Sequence, residues 1–324
     1  MPQVKRPKRG SHAFYPRKKA SRIYPPLETY PESDKPRAMA FAGYKAGMTH
    51  AMIFDNKKGS PTFGMEIQMP CTIIECPPLK VISVRAYHKT MKGDQPLSEA
   101  FAAEMPKGMD RKISVGKFKT DEKMAQLEKM VDKISIVRMI VATNPLQTAF
   151  AKKTPEVFEI EVGGKTGKEK LDFAKSLLGK DIVASDVMKE GEVVDTIAVT
   201  IGKGTEGPVK RFHIRIQDRH AKQKRRHVGA ISQQVPRKVR WQAPTAGQLG
   251  FQRRTEMNKR VIKIGEGKDI MPKSGIHRYG VLKSSFVLLK GSVAGPKKRL
   301  IMMRASIRPP KVRVAVPEIR EIAK

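Results

Sequence analysis

Short runs rich in β-branched and aromatic residues, each bounded by glycine or proline, recur towards both ends of the chain. They are PRAMAFAGYKAGMTHAMIFD (36–55), PCTIIECPPLKVISVRAY (70–87), EVVDTIAVTIGKG (192–204) and KSSFVLLKGSV (283–293). Spaced in this way, with few helical patterns between them, they predict the strands of a small antiparallel β-barrel. The middle of the chain reads differently. TDEKMAQLEKMVDKI (120–134) puts Met124, Leu127, Met130, Val131 and Ile134 at helical spacing, with a weak cap from Thr120 and Lys123. SIVRMIVATNP (135–145) reads as a strand ended by Asn144-Pro145, and EVFEIEVGG (156–164) alternates like another. GKEKLDFAKSLLGK (167–180) reads as a short helix closed by Gly179. VKRFHIRIQ (209–217) alternates and reads as a strand. The fold class expected is mainly β with an α+β insertion. Residues 38–90 and 190–324 form a discontinuous barrel, and residues 91–189 form the insert. No internal repeat is evident.

Charge sharpens this division. The 324 residues carry 65 Lys and Arg against 31 Asp and Glu, a formal net charge of +34. Residues 91–196 hold 18 of each sign, so the remainder, 47 basic and 13 acidic, carries the whole excess. Such an excess opposes compaction by self-repulsion and points to a polyanionic partner. The neutral insert carries charges that a solvated face explains, and no chemistry is assigned to it.

Two segments concentrate the cations. The N-terminal tail, residues 1–37, has Lys5, Arg6, Lys8, Arg9, Arg17, Lys18, Lys19 and Arg22 before its first acid, Glu28, and its prolines and glycine disfavour packing. The second is acid-free from Arg219 to Thr255 and contains HAKQKRRHVGAISQQVPRKVR (220–240), with no apolar periodicity. A structureless loop of that length is foreign to a compact domain. It is expected to be an extended arm, residues 219–255, ordered by nucleic-acid phosphates in place of a core.

Enzymatic readings find little support. GKGTEG (202–207) matches G-x-G-x-x-G, yet a dinucleotide site needs a helix opening inside the motif, and the kinase pattern lacks its other blocks. A tight turn whose glycines allow close backbone approach suits it better. The seven histidines, at 12, 50, 88, 213, 220, 227 and 277, show no i, i+4 ligand pair, and no nucleophile–base arrangement is visible. His220 and His227 lie in the basic arm, where stacking on bases or bonding to phosphate is open to them. Cys71 and Cys76 are too few for a disulfide framework, fit a reducing compartment, and sit in or beside the apolar run CTIIEC rather than in a zinc site. No apolar stretch approaches a membrane span, and the basic N-terminus lacks the apolar core of a signal peptide. KRPKR (5–9) suits a nuclear-localisation run or an RNA-binding tail equally. An rRNA-modifying enzyme, an assembly factor and a DNA-compacting protein stay open as alternatives to a structural RNA-binding protein.

Four blocks carry a resemblance. GYKAGMTH (43–50), GKGTEGPVKR (202–211), AGQLGFQRRTEMNKRVIKIGEG (246–267) and LLKGSVAGPKKRLIMMR (288–304) occur in the order and spacing of the third large-subunit ribosomal protein family. The likeness runs nearly end to end and is closer to the archaeal and eukaryotic branch. It implies a translation-protein-type β-barrel, binding near the 3′ end of large-subunit rRNA early in assembly, and an arm reaching towards the peptidyl transferase centre. It implies a cytoplasmic place in the large subunit beside the proteins L-fourteen and L-twenty-four-e, with no membrane, small-molecule substrate or cofactor. Mg2+ would enter only with the rRNA.

Carried onto this chain, the resemblance makes Lys222, Lys224, Arg225, Arg226, Arg237, Lys238, Arg240, Arg253 and Arg254 phosphate contacts, together with the tail cations and Lys297, Lys298 and Arg299. Gly202, Gly204, Gly207, Gly229, Gly247 and Gly250 would let backbone pass close to RNA. The arm's tip falls near Ser232 to Pro236. There the sequence has Gln234, as in bacterial members, where archaeal and eukaryotic relatives usually have tryptophan. Bacterial relatives can carry a methylated glutamine at that position. Trp241, the chain's one tryptophan, lies five residues past Pro236 and could stack on a base or cover the loop's return.

Overall fold

The computed structural model describes residues 11–57, 59–114, 116, 118–311 and 315–323. Its strands, in chain order, are β1 (Ala40–Phe54), β2 (Glu66–Glu75), β3 (Leu79–Thr90), β4 (Gly93–Phe101), β5 (Ile136–Ala142), β6 (Val157–Glu161) and β7 (Asp181–Ile182). There follow β8 (Val193–Val199), β9 (Thr205–Glu206), β10 (Gly247–Gln248), β11 (Arg253–Glu266), β12 (Ser285–Lys290), β13 (Leu300–Ala305) and β14 (Ile319–Ile322). The α-helices are α1 (Thr120–Lys129), α2 (Gly167–Leu177), α3 (Ala184–Val187), α4 (Pro208–Phe212) and α5 (Gly267–Ile270).

The chain divides into two compact units. One joins the described residues up to Ile23 with Val199–Arg254, and the other joins Tyr24–Ala198 with the residues from Thr255 onward. In the larger unit a seven-stranded sheet runs β13-β8-β11-β12-β2-β1-β14, and β13 also pairs with β1. Six strands therefore follow one another round a ring. β1 makes this possible by its length. Its first half pairs with β13 and its second half with β14, while a register shift between Lys45 and Gly47 marks a bulge against β2. On these strands Phe41, Tyr44, Ile74, Phe286, Leu288 and Met302 are all essentially without solvent contact. Each such side chain contributes about 1.5–3 kcal/mol of burial.

A second sheet runs β4-β3-β5-β6, with β7 on β3, and takes in most strands of the expected insert, residues 91–189, together with β3. Here β3 differs from expectation: the pattern assigns the run 70–87 to the barrel, but the run is divided between the two sheets. β2 ends at Glu75 and β3 starts at Leu79, on the far side of Pro77-Pro78. Two prolines in succession supply no ladder donors, so the chain leaves one sheet there and joins another. α1 buries Met124 and Leu127, and α2 buries Leu171 and Ala174, in one cluster with β3 and β5. Ile82, Met109, Ile140 and Ala142 form a smaller cluster of their own. The helix expected over 120–134 ends at Lys129 and continues as a 3-10 turn, Val131–Lys133. α2 starts at Thr166, whose hydroxyl accepts from the Glu169 amide, and Gly179 follows its end at φ 76°.

The tail is another correction. Its composition predicts no packing up to residue 37, yet Tyr24 and Leu27 are buried. The Tyr24 hydroxyl donates to the Val157 carbonyl at 3.0 Å, and Arg304 donates to the Thr29 carbonyl at 2.6 Å. Tyr24 and Leu27, past the cationic run, give this part of the tail apolar surface to bury.

Candidate nucleic-acid interface

The smaller unit carries most of the sequence-predicted contacts. From His213 to Phe251 no residue is buried. Secondary structure in that stretch consists of the 3-10 segment Arg219–Lys224 and the two-residue strand β10. Local bonds shape the arm: the Gln217 amide donates to the Arg225 carbonyl at 2.9 Å, and the Gln217 side chain donates to the His227 carbonyl at 3.1 Å. His220 lies beside Asp218, the acid just before the arm, with its amide donating to that carboxylate at 3.1 Å. Lys222, Lys224, Arg225, Arg226, His227, Gln234, Arg237, Lys238 and Arg240 are all exposed. No acid of the arm competes for those cations. Ile231, Val235 and Val239 are exposed among them, Val235 at 80%. One open hollow is lined by Ile231, Ser232, Gln233, Pro236, Lys238 and Arg240, two cations among polar and apolar side chains.

The arm is anchored by residues that local sequence patterns do not reveal. VKRFHIRIQ alternates like a strand, but its first part forms helix α4. Proline at the first helical position has its φ already set and lacks an N–H that would go unused there. Gly207 precedes it as cap, and His213, in the left-handed region at φ 56°, ends it. Arg211 then clamps both ends of the arm. Its Nε donates to the Gln248 carbonyl at 3.0 Å and one terminal nitrogen donates to the Thr245 carbonyl at 2.9 Å. Arg17 donates to the Arg211 carbonyl at 2.7 Å and lies 4.3 Å from the Phe212 ring centroid. Burial first and Arg17 second push the Arg211 guanidinium below its ordinary pKa, and the same two causes lower Arg254. Cations are thus gathered here against their mutual repulsion. Arg254 also sits 4.5 Å from the Phe14 ring centroid. Long-range partners define this clamp, so local spacing gives no signal for it.

The GKGTEG turn is part of the same base. β9 pairs with β10, the Lys203 amide donates to the Leu249 carbonyl at 2.9 Å, and the Leu249 amide donates to the Gly204 carbonyl at 2.9 Å. The Lys203 amide is thus spent on the chain itself rather than aimed at a phosphate. A Cβ on Gly250, at φ 72°, would overlap the Ile201 carbonyl oxygen, and one on Gly247 would meet the Arg211 guanidinium at 3.0 Å. At Gly202 the neighbour is Phe251, and at Gly229 it is the Gln217 side chain. The close approach at these four glycines is therefore to the chain's own atoms. Gly204 and Gly207 face open space.

The other predicted contacts are placed as follows. Lys5, Arg6, Lys8 and Arg9 lie outside the described residues. Lys18 and Lys19 are exposed, with Lys19 5.6 Å from the Phe251 ring centroid. Trp241 meets Tyr15 edge-on at 5.1 Å while remaining 63% exposed, so it packs on the tail and still offers ring surface. Arg253 is exposed. Lys297, Lys298 and Arg299 belong to the larger unit. Lys298 is exposed, Lys297 and Arg299 are half-buried, and burial lowers the Arg299 pKa. Cys71 and Cys76 are buried free thiols. Among the described residues, no group of three or more His, Cys, Asp or Glu is placed to hold a metal, and no helix is long and apolar enough to cross a membrane.

A β-rich fold and an unburied, acid-free cationic arm present a surface suited to a polyanion. The comparisons with known proteins give the family. The profile of the family described as Ribosomal protein L3 matches residues 1–322. A protein of Methanothermobacter thermautotrophicus named large ribosomal subunit protein uL3 is 45% identical over 324 residues, covering 98% of this chain and 96% of its own. Proteins of the same name from Methanocaldococcus jannaschii and Archaeoglobus fulgidus are 46% identical over 324 residues and 48% identical over 311. They cover 99% and 94% of this chain, and 97% and 93% of their own length. The chain belongs to the ribosomal protein L3 family, whose members are ribosomal proteins rather than enzymes.

Proposed function

We propose that the chain is a structural component of the large ribosomal subunit, acting in the cytoplasm. It grips large-subunit rRNA with its basic arm and tail and has no catalytic step of its own. The observation that carries this reading is the arm: from His213 to Phe251 nothing is buried, and from Arg219 to Thr255 nothing is acidic. Such a segment has no buried core of its own, and an RNA backbone supplies both the counter-charge and the surface. The ring of strands acts as a translation-protein-type barrel.

By family likeness the rRNA bound is the 3′-terminal region, contacted early so that assembly nucleates on it. The arm, with Gln234 at its tip, extends towards the peptidyl transferase centre. The neighbours are L-fourteen and L-twenty-four-e, and Mg2+ enters only as part of the rRNA's counter-ions. These contacts position the protein, while specificity comes from RNA shape.

Equilibrium binding of the full chain to 3′-terminal large-subunit rRNA, with duplex DNA as competitor at moderate salt, tests this reading. Retention on rRNA against excess DNA is expected. Preference for the duplex would overturn it in favour of a DNA-compacting role.

A further inference from the structure

The second sheet ends on β6, which has one neighbouring strand, β5. Such an edge offers a row of backbone groups to any other strand. The β6 carbonyls of Val157, Glu159 and Glu161 lie two residues apart and so on one side of the strand. The segment 24–39 takes all three. The Tyr24 hydroxyl donates to Val157 at 3.0 Å, the Tyr30 hydroxyl to Glu159 at 3.3 Å, and the Met39 amide to Glu161 at 3.1 Å. Just past β6, the Gly163 amide donates to the Arg37 carbonyl at 2.8 Å and the Gly164 amide to the Ser33 carbonyl at 3.0 Å. The approach is so close that a Cβ on Gly163 would lie 2.9 Å from both the Ser33 Cβ and the Met39 sulfur.

The segment occupies this edge without becoming a strand. It contains Pro25, Pro26, Pro31 and Pro36, none of which can donate to a ladder, and it reaches two of the three carbonyls with side chains. It therefore fills one edge and offers little of a new one. Its remaining ties are to β13. Arg304 donates to the Thr29 carbonyl at 2.6 Å and to the Thr29 hydroxyl at 2.8 Å, and the Ala305 amide donates to the Met39 carbonyl at 3.1 Å. Partners at 157–164 and at 304–305 are present together only when nearly the whole chain has been made, so the segment closes late.

We propose that residues 24–39 are a strap that closes over β6 last, fastens the second sheet to β13, and keeps β6 from pairing with β6 of a second copy of this chain. Identical copies carry the same edge, and like edges join by two-fold symmetry. The net charge of +34 on each copy opposes that meeting only while it is unscreened. The strap keeps the protein monomeric where salt or a polyanion has neutralised the repulsion.

The test uses the full chain at 0.5 M salt, roughly a regime in which charges beyond a few ångströms are screened. A Tyr24→Phe/Tyr30→Phe variant keeps both rings and removes only the two donors. Two such bonds correspond to roughly 10- to 100-fold in an opening equilibrium. Amide exchange at Met39, Gly163 and Gly164 should quicken by that factor, while β2 and β12 exchange as in the parent. Gly163→Val displaces the strap from the other side and should also speed exchange at Met39 and trypsin cleavage after Arg37. In sedimentation velocity both variants should self-associate with rising concentration while the parent stays monomeric. Exchange and cleavage unchanged in both variants would overturn the strap as a fastener. A strap released in both variants, with the protein still monomeric at every concentration, would overturn its role as a cap.

Discussion

Replacing residues 225–240 by a short Gly-Ser linker removes Arg225, Arg226, Arg237, Lys238 and Arg240, five fixed cations, together with His227. If all five neutralise phosphates, the salt slope for rRNA binding falls by about 3.5–4.5, at about 0.7–0.9 per cation. The cost to folding should be small, because no residue in the segment is buried. The hydrogen bonds it removes, such as Gln217 to Arg225 and to His227, join the arm to the residues just before it and reach no buried residue. Surface changes of this kind stay within about 0.5 kcal/mol, so the melting temperature should hardly move. The clamp of Arg211 on Thr245 and Gln248 lies outside the deletion and should survive it. The assay is paired: filter binding across a salt series, and thermal unfolding of the same preparations. A slope unchanged within error would refute phosphate contact by the arm. A melting point lowered by several degrees would refute the view that the arm lacks a structural role in the free protein.

Three further outcomes are expected. Gly250→Ala should destabilise the base of the arm well beyond Gly204→Ala. Both residues are left-handed, at a cost of about 1–2 kcal/mol for a side chain, but only at Gly250 would the new Cβ overlap a carbonyl oxygen, that of Ile201; amide exchange at Lys203 and Leu249 reads the difference, and equal effects would contradict the geometry. Asp195→Ala should cost about 3–5 kcal/mol by urea unfolding, as expected when one partner of a buried ion pair is removed. Asp195 is fully buried and accepts from the Asn258 and Ile307 amides and from Arg304 at 3.0, 3.3 and 3.4 Å. Burial pushes the Cys71 thiol up to about 11 and raises Cys76 as well, so at pH 8 both stay protonated and should react with a disulfide reagent only after unfolding; fast native-state labelling would contradict their burial.

Several features are legible in the sequence because their causes are local. The helical spacing of Met124 and Leu127 marks a face that is buried, and Gly179 closes α2 as the left-handed region requires. The arm is legible because the absence of both acids and apolar periodicity is a local property. Features set by distant partners are hidden. Val209, Arg211 and His213 alternate like a strand over a stretch too short for period alone to decide, and Pro208 tips it into a helix. Arg211 reads as one more basic residue until the fold brings Arg17, Thr245 and Gln248 to it. The change of sheet at Pro77-Pro78 has a signal in the prolines, but the apolar run on either side masks it.

The most direct measurement is sedimentation of the native protein from lysate, followed by washing of the ribosomes in high salt. A chain held by many phosphate contacts and built into the subunit should remain in the washed large subunits at about one copy each. A chain that sediments free, or leaves in the wash, would be an assembly factor or a modifying enzyme, and a structural place in the large subunit would be contradicted.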